Sequence, residues 1–183
     1  MNTVKEDSLK KRYIFKLLAN LIGLPMSLIT QALIPRGLGA KVYGDFNFLT
    51  NFFKQLVDFF DMGTSFGFYT KLSQRLREYG LIAFYFNYMG LVSLIMLIFV
   101  VTAHFTGIYP KIWPEQNIKF IYLAVFLGIF TWIVQIINIM ADAYGITVIA
   151  EKAKILQKLF GMAIILILFF SNRLTLSIFF YYN

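Results

Sequence analysis

The chain of 183 residues is 59% hydrophobic and 14% charged, with a mean hydropathy of +0.70 and a formal net charge of +8. This composition excludes an ordinary soluble domain and is typical of an integral membrane protein. With no cysteine, one histidine and no nucleotide-binding loop, the sequence excludes a disulfide framework, a thiolate or His-rich metal site and an ATP-driven mechanism, so no cofactor is expected.

Long apolar runs predict an all-α polytopic membrane protein, folded as a single transmembrane bundle over 1–183. Five spans and a partial sixth are expected, at about 14–34, 45–69, 81–103, 118–140, 155–171 and 174–183. The last run is too short to cross a bilayer, which takes about 20 helical residues. We therefore expect the chain to be truncated within its sixth span.

The basic residues are concentrated on one side of these spans, in the N-terminal lead-in and in the loops after the second and fourth spans. This asymmetry predicts a cytoplasmic N-terminus. It also explains the positive charge without nucleic acid as a partner. The residues on that side are Lys5, Lys10, Lys11, Arg12, Lys16, Lys71, Arg75, Arg77, Lys152, Lys154 and Lys158.

The first span follows a charged segment in which Asp7 or Ser8 is the expected N-cap. Pro25 should kink this helix, and Pro35 should end it. One face of the helix carries polar or small residues at steps of four and three, which is one continuous surface. They are Lys16, Asn20, Gly23, Ser27 and Gln31.

The second span, around 46–68, has the clearest polar stripe in the chain. A charge at the bilayer centre costs about 2.5–3.5 kcal/mol, so Lys54, Asp58 and Asp61 facing lipid would cost roughly 8–10 kcal/mol. The stripe is therefore expected to face a bundle interior or a watery cavity. The alternative is an amphipathic helix lying on the membrane surface. The stripe consists of Asn47, Asn51, Lys54, Asp58, Asp61 and Ser65.

The later spans differ in polarity. The third is mostly apolar, and the loop after it carries Tyr109 and Trp113, which suit the membrane interface. The fifth has almost no polar residue away from its ends and should face lipid. The fourth has a further one-sided stripe, formed by Gly128, Thr131, Gln135, Asn138 and Asp142.

Short motifs lie around the second span. Segment 34–46 reads IPRGLGAKVYGDF, and Asp61-Met62-Gly63 follows near the end of the second span, before a basic loop after Tyr69. Together these resemble the first loop and second helix of O-antigen/polysaccharide flippases, of the multidrug/oligosaccharidyl-lipid/polysaccharide exporter superfamily. The motifs that carry this resemblance lie between Leu33 and Arg77.

The resemblance implies a transporter rather than an enzyme. Members of that family have about twelve helices in two bundles, and they flip undecaprenyl-pyrophosphate-linked oligosaccharides across the bacterial inner membrane by alternating access. This chain resembles the first bundle only, so its implied partners are the lipid bilayer, the lipid-linked glycan, and a second lobe or a polysaccharide polymerase.

The resemblance and the stripes together suggest site residues. Phosphate requires fixed cations, and sugars require amide and hydroxyl partners. The candidates for substrate binding are Asn20, Gln31, Arg36, Asn51, Lys54, Gln135 and Asn138, and those for ion coupling are Asp58 and Asp61.

Several of these residues could instead have a purely structural role. Lys54 and Asp58 could form an ion pair that only neutralises two charges on one face. Arg36 could be an interfacial anchor, and Asp142 a solvated residue at a helix end. Two other functions also remain open: a truncated or accessory membrane fragment, and a membrane glycan polymerase or acyltransferase, although no long catalytic loop is present.

Overall fold

The computed structural model of the chain describes residues 8–75, 78–171, 173 and 175–182, and these residues form helices without any strand. The predicted all-α class is confirmed. Lys5, Asp7 and Arg77 of the predictions above lie outside the described residues, as do 174 and 183 of the partial span. The helices are α1 Leu9–Leu38, α2 Ala40–Asp61, α3 Thr64–Gln74, α4 Tyr79–Phe105, α5 Tyr109–Ile112, α6 Ile118–Ala143, α7 Thr147–Phe170 and α8 Leu176–Tyr182.

Four helices are long and apolar enough to cross a membrane: α1, α4, α6 and α7. They contain most of the first, third, fourth and fifth predicted spans, so the multi-pass membrane character of the chain is supported by length and composition. The second predicted span, 45–69, is not among them. The count of five spans and a partial sixth is therefore not confirmed.

The predicted continuous helix over 45–69 is wrong in its local geometry, because these residues form two helices. The break falls at Met62 and Gly63, which have φ angles of 41° and 83°. Left-handed backbone interrupts the helical hydrogen-bond pattern, and glycine adopts it without the steric cost that a Cβ adds.

The predicted end of the first helix is also wrong. Pro25 and Pro35 both lie inside α1, which continues to Leu38. The helix ends at Gly39, whose φ of 82° takes the chain out of the helix and whose N–H donates to the Pro35 carbonyl. At the other end Ser8 is the N-cap, as predicted, since its side chain accepts a hydrogen bond from the Lys11 N–H at 3.4 Å.

The chain divides into two compact units, residues up to Tyr43 with Ile137–Tyr182, and Gly44–Ile136. The core of the first unit is the contact between α1 and α7. Small residues, Ala19 and Gly23 on α1 and Gly161 on α7, are buried there together with Met26 and Ile165. Small side chains allow two helix backbones to approach closely.

The two helices of the first unit run parallel. Arg12, near the start of α1, donates to the Thr147 hydroxyl at the start of α7 over 3.1 Å. A second contact joins Gly23 of α1 to the side chain of Lys158 of α7. Gly23 lies eleven residues after Arg12, and Lys158 lies eleven residues after Thr147. Because the contacts advance in the same order on both helices, the N-terminal ends of α1 and α7 lie together.

The core of the second unit combines α2, α3, α4, α6 and the segment after α5. The buried residues of α4 recur at steps of three and four, which places them on one helix face. The large side chains that are almost fully buried in this unit are Leu49, Phe53, Leu72, Val92, Met96, Val100, Trp113, Ile121, Val125, Trp132 and Ile136.

Two glycines near the break provide a test of its geometry. A Cβ at Gly63 or at Gly67 would meet no atom within 4 Å, but only Gly63 has a positive φ. We expect Gly63→Ala to destabilise the protein by about 1 kcal/mol, and Gly67→Ala, inside α3, to stabilise it by about 0.5–1 kcal/mol. Thermal unfolding in detergent micelles measures both. Equal effects of the two substitutions would contradict the left-handed break.

Candidate functional site

A cavity of about 260 Å³ lies between α2 and α6 in the second unit. We call it the α2–α6 cavity. One wall is apolar, with Trp132 and Val57 buried, and the other contains polar side chains of both helices. Its full lining is Phe46, Thr50, Asn51, Lys54, Val57, Asp58, Leu127, Gly128, Thr131, Trp132 and Gln135.

The polar wall is formed where the stripes of the second and fourth predicted spans meet. α2 contributes Asn51, Lys54 and Asp58, at steps of three and four residues, and α6 contributes Thr131 and Gln135. The helices can approach here because Gly128 has no side chain: a Cβ at that position would lie 3.2 Å from Cβ of Phe53. Four of the predicted site residues thus share one cavity.

The charged and amide groups of this cavity have no internal partner. Among the described residues, no ion pair joins Lys54 to Asp58, and neither side chain makes a hydrogen bond. The same holds for the side chains of Asn51 and Gln135. The alternative in which Lys54 and Asp58 form an ion pair is therefore wrong. Both groups are available to contact a ligand.

The two hydroxyl groups of the cavity donate their hydrogen atoms to the backbone of their own helices. Thr50 and Thr131 each donate to the backbone carbonyl four residues earlier, those of Phe46 and Leu127, at 2.8 Å. They can still accept hydrogen bonds. The site thus offers one ammonium, one carboxylate, two amides and two acceptor hydroxyls, a set suited to an anionic group bearing hydroxyls.

The sequence analysis did not identify two residues of this cavity, Thr50 and Trp132. Thr50 lies four residues before Lys54 and so on the same side of α2, a spacing that could have revealed it. Trp132 carries no such signal, because a tryptophan in an apolar span reads equally well as a lipid contact.

The other predicted substrate residues do not line this cavity. Asn20 lines a separate cavity in the first unit, and Gln31 and Arg36 are exposed on α1. Asn138 is half-buried on α6, in the same unit. Their assignment to substrate stays a prediction.

Asp61 differs from Asp58 in its surroundings. Its carboxylate accepts hydrogen bonds from the Ser65 N–H (3.1 Å) and hydroxyl (2.7 Å), from the Thr64 hydroxyl (3.0 Å) and from the Tyr85 phenol (2.8 Å). The ring of Tyr85 stacks on Phe68 with centroids 4.4 Å apart. Asp61 therefore caps the start of α3 and links it to α4 through Tyr85. This structural role is separate from the ion coupling predicted for Asp61.

Two further expectations change. Trp113 is buried within the protein and is not on its surface: it packs against Phe52, Phe53 and Phe99, and its Nε1 is buried with no hydrogen-bond partner in the described part of the chain. Asp142 is not merely solvated, because it pairs with Lys16 at 2.8 Å.

The chain was compared with known proteins. It matches no family model, and neither curated proteins nor solved structures give a match. The resemblance to flippases therefore rests on the motifs between Leu33 and Arg77.

The absence of native cysteine permits a direct test of the α2–α6 cavity. Asp58 and Gln135 line it, whereas their neighbours Phe59 and Val134 are exposed elsewhere on the same helices, 61% and 51%. In membranes, we expect Asp58→Cys and Gln135→Cys to react with a water-soluble maleimide about tenfold faster than Phe59→Cys and Val134→Cys, because a thiolate forms poorly in lipid. Equal rates within each pair would contradict this orientation.

Asp61 and Asp58 form a matched pair for stability. Removing Asp61 leaves four donors without their acceptor, so we expect Asp61→Ala to lower the free energy of unfolding by about 2 kcal/mol, with Asp61→Asn less damaging. Asp58→Ala removes the same charge one turn away and should change it by less than about 0.5 kcal/mol. Thermal unfolding of the purified variants compares them, and a similar loss in both would exclude the capping role.

Proposed function

We propose that this chain is the N-terminal lobe of a flippase that moves an undecaprenyl-pyrophosphate-linked oligosaccharide across the bacterial inner membrane by alternating access. The observation that carries the proposal is the α2–α6 cavity, where Lys54 and Asp58 lie beside two amides and pair with no other described residue. Intramembrane ionisable residues are costly, and they commonly mark substrate or ion pathways.

The chemistry of the cavity divides naturally between the parts of such a substrate. Lys54 supplies a fixed cation for the pyrophosphate, and Asn51 and Gln135 supply donors and acceptors for sugar hydroxyls. Trp132 is buried and forms part of the apolar wall behind these groups. Asp58 has no partner among the residues that the structure describes, and it is the group available to take up a proton or a cation as the lobe changes state.

Five membrane crossings, with α8 as the beginning of a sixth, belong to this proposal. Because α1 and α7 run parallel, an odd number of crossings must separate them in one membrane. α4 and α6 account for two, so α2 with α3 would be the third. The 22 residues of α2 extend about 33 Å, enough for a hydrocarbon core of about 30 Å.

The motif residues also have structural roles compatible with the proposal. Gly39, of the Leu-Gly element, forms the turn between α1 and α2. Asp45, after the Tyr-Gly element, accepts a hydrogen bond from the Gln116 amide at 2.8 Å and so ties α2 to the segment before α6. The motif therefore lies where it would position α2, the helix that provides Lys54 and Asp58.

The proposal is tested by substitutions at the chromosomal locus, so that the natural protein is assayed at its natural length. We expect Lys54→Ala to lower export of the lipid-linked glycan, and affinity for undecaprenyl pyrophosphate, by about tenfold to a hundredfold, the usual loss for a charge-assisted hydrogen bond. Asp58→Asn should retain binding and lose dependence on the ion gradient.

Lys111→Ala is the matched control, since Lys111 is an exposed lysine of the same unit outside the cavity. Variant abundance in the membrane is measured in parallel. Normal export and binding in Lys54→Ala at normal abundance would overturn the assignment of this cavity to a pyrophosphate-linked substrate.

A further inference from the structure

A second cavity, of about 220 Å³, lies between α1 and α7 in the first unit. We call it the α1–α7 cavity. It differs from the first in being strongly basic, with three lysines and one glutamate in its wall. Its lining is Lys16, Ala19, Asn20, Glu151, Lys154, Ile155 and Lys158.

The three lysines are not equally neutralised. Lys16 pairs with Asp142 at 2.8 Å, and Lys154 pairs with Glu151, which is buried, at 2.9 Å. Lys158 forms no ion pair and no hydrogen bond with any residue that the structure describes. The cavity therefore retains one uncompensated positive charge beside two ammonium groups that have spare donors.

The position of Lys158 depends on the helix contact. Its aliphatic stem and ammonium group lie over Gly23, where a side chain of any size would collide with them. The glycine thus leaves room for the lysine to cross from α7 to α1. Asn20, one turn before Gly23 on α1, adds an amide to the same wall.

The depth of the cavity suits the membrane interface. Lys16 lies about 10 Å from the start of α1 and Lys158 about 16 Å from the start of α7, and these starts lie together because the helices are parallel. Leu24 and Leu28 follow Asn20 at four-residue steps on α1 and are exposed. A polar head in the cavity could therefore have an acyl chain along this apolar face.

We propose that the α1–α7 cavity binds the phosphate of an anionic phospholipid headgroup. Basic pockets between membrane helices near one face of the bilayer bind such headgroups. Lys158 would contribute the unshared charge, with Lys16, Lys154 and Asn20 as further donors. Bound there, the lipid would join the two helices of this unit at a site separate from the α2–α6 cavity, so the inference does not rest on the proposed function.

The test measures lipid binding to the purified full chain in detergent by native mass spectrometry. Phosphatidylglycerol and cardiolipin are compared with zwitterionic phosphatidylcholine, and inorganic phosphate is added as a competitor. We expect preferential binding of the anionic lipids, lowered about fivefold by Lys158→Ala, the ratio for loss of about 1 kcal/mol per basic residue. Lys158→Arg should retain most of the affinity.

One control separates a site from general attraction. Lys119→Ala removes an exposed lysine of the other unit that lines neither cavity, so it should leave anionic lipid binding unchanged. Equal binding by wild type and Lys158→Ala, or an equal loss in Lys119→Ala, would overturn the proposal. Displacement by millimolar inorganic phosphate would overturn the lipid as the ligand.

Discussion

The arrangement of this protein depends on where its charged α2 can lie. In hydrocarbon each charge costs about 2.5–3.5 kcal/mol, and Lys54 and Asp58 have no ion partner in the described chain to offset that cost. They line the α2–α6 cavity, where Gly128 lets the two helices approach, and both side chains remain exposed. The contact between α2 and α6 therefore creates a cavity in which the two charges are accessible to a ligand.

The break between α2 and α3 separates two carboxylates that look alike in sequence. Before the break, Asp58 lines the cavity and has no side-chain partner in the described part of the chain. At the break, Asp61 accepts hydrogen bonds from Thr64, Ser65 and Tyr85. These hydrogen bonds stabilise the start of α3. Since the left-handed backbone at Gly63 ends the helical register, residues beyond the break no longer continue the stripe. Asp58 is thus accessible to a ligand, whereas Asp61 stabilises the start of α3.

The two cavities are complementary in character. The α2–α6 cavity contains a single cation beside a carboxylate and amides, which suits a ligand with both phosphate and hydroxyl groups. The α1–α7 cavity has three lysines and lies near the joined ends of two parallel helices, which suits a headgroup at the interface. Parallel packing also bears on the proposed topology, because it constrains the number of crossings between α1 and α7.

The sequence by itself determined the helical class, the approximate course of four apolar helices and the N-cap at Ser8. Each of these depends only on residues close together in the chain, through the length of an apolar run or the side chain at a helix start. It also predicted that Asn51, Lys54, Asp58 and Gln135 belong to one site, because helical periodicity fixes which residues share a face. Only the tertiary structure decided that α2 ends at Asp61, that Trp113 is buried, and that Lys16 pairs with Asp142. These features depend on contacts between residues distant in the chain, which periodicity along a single helix does not encode.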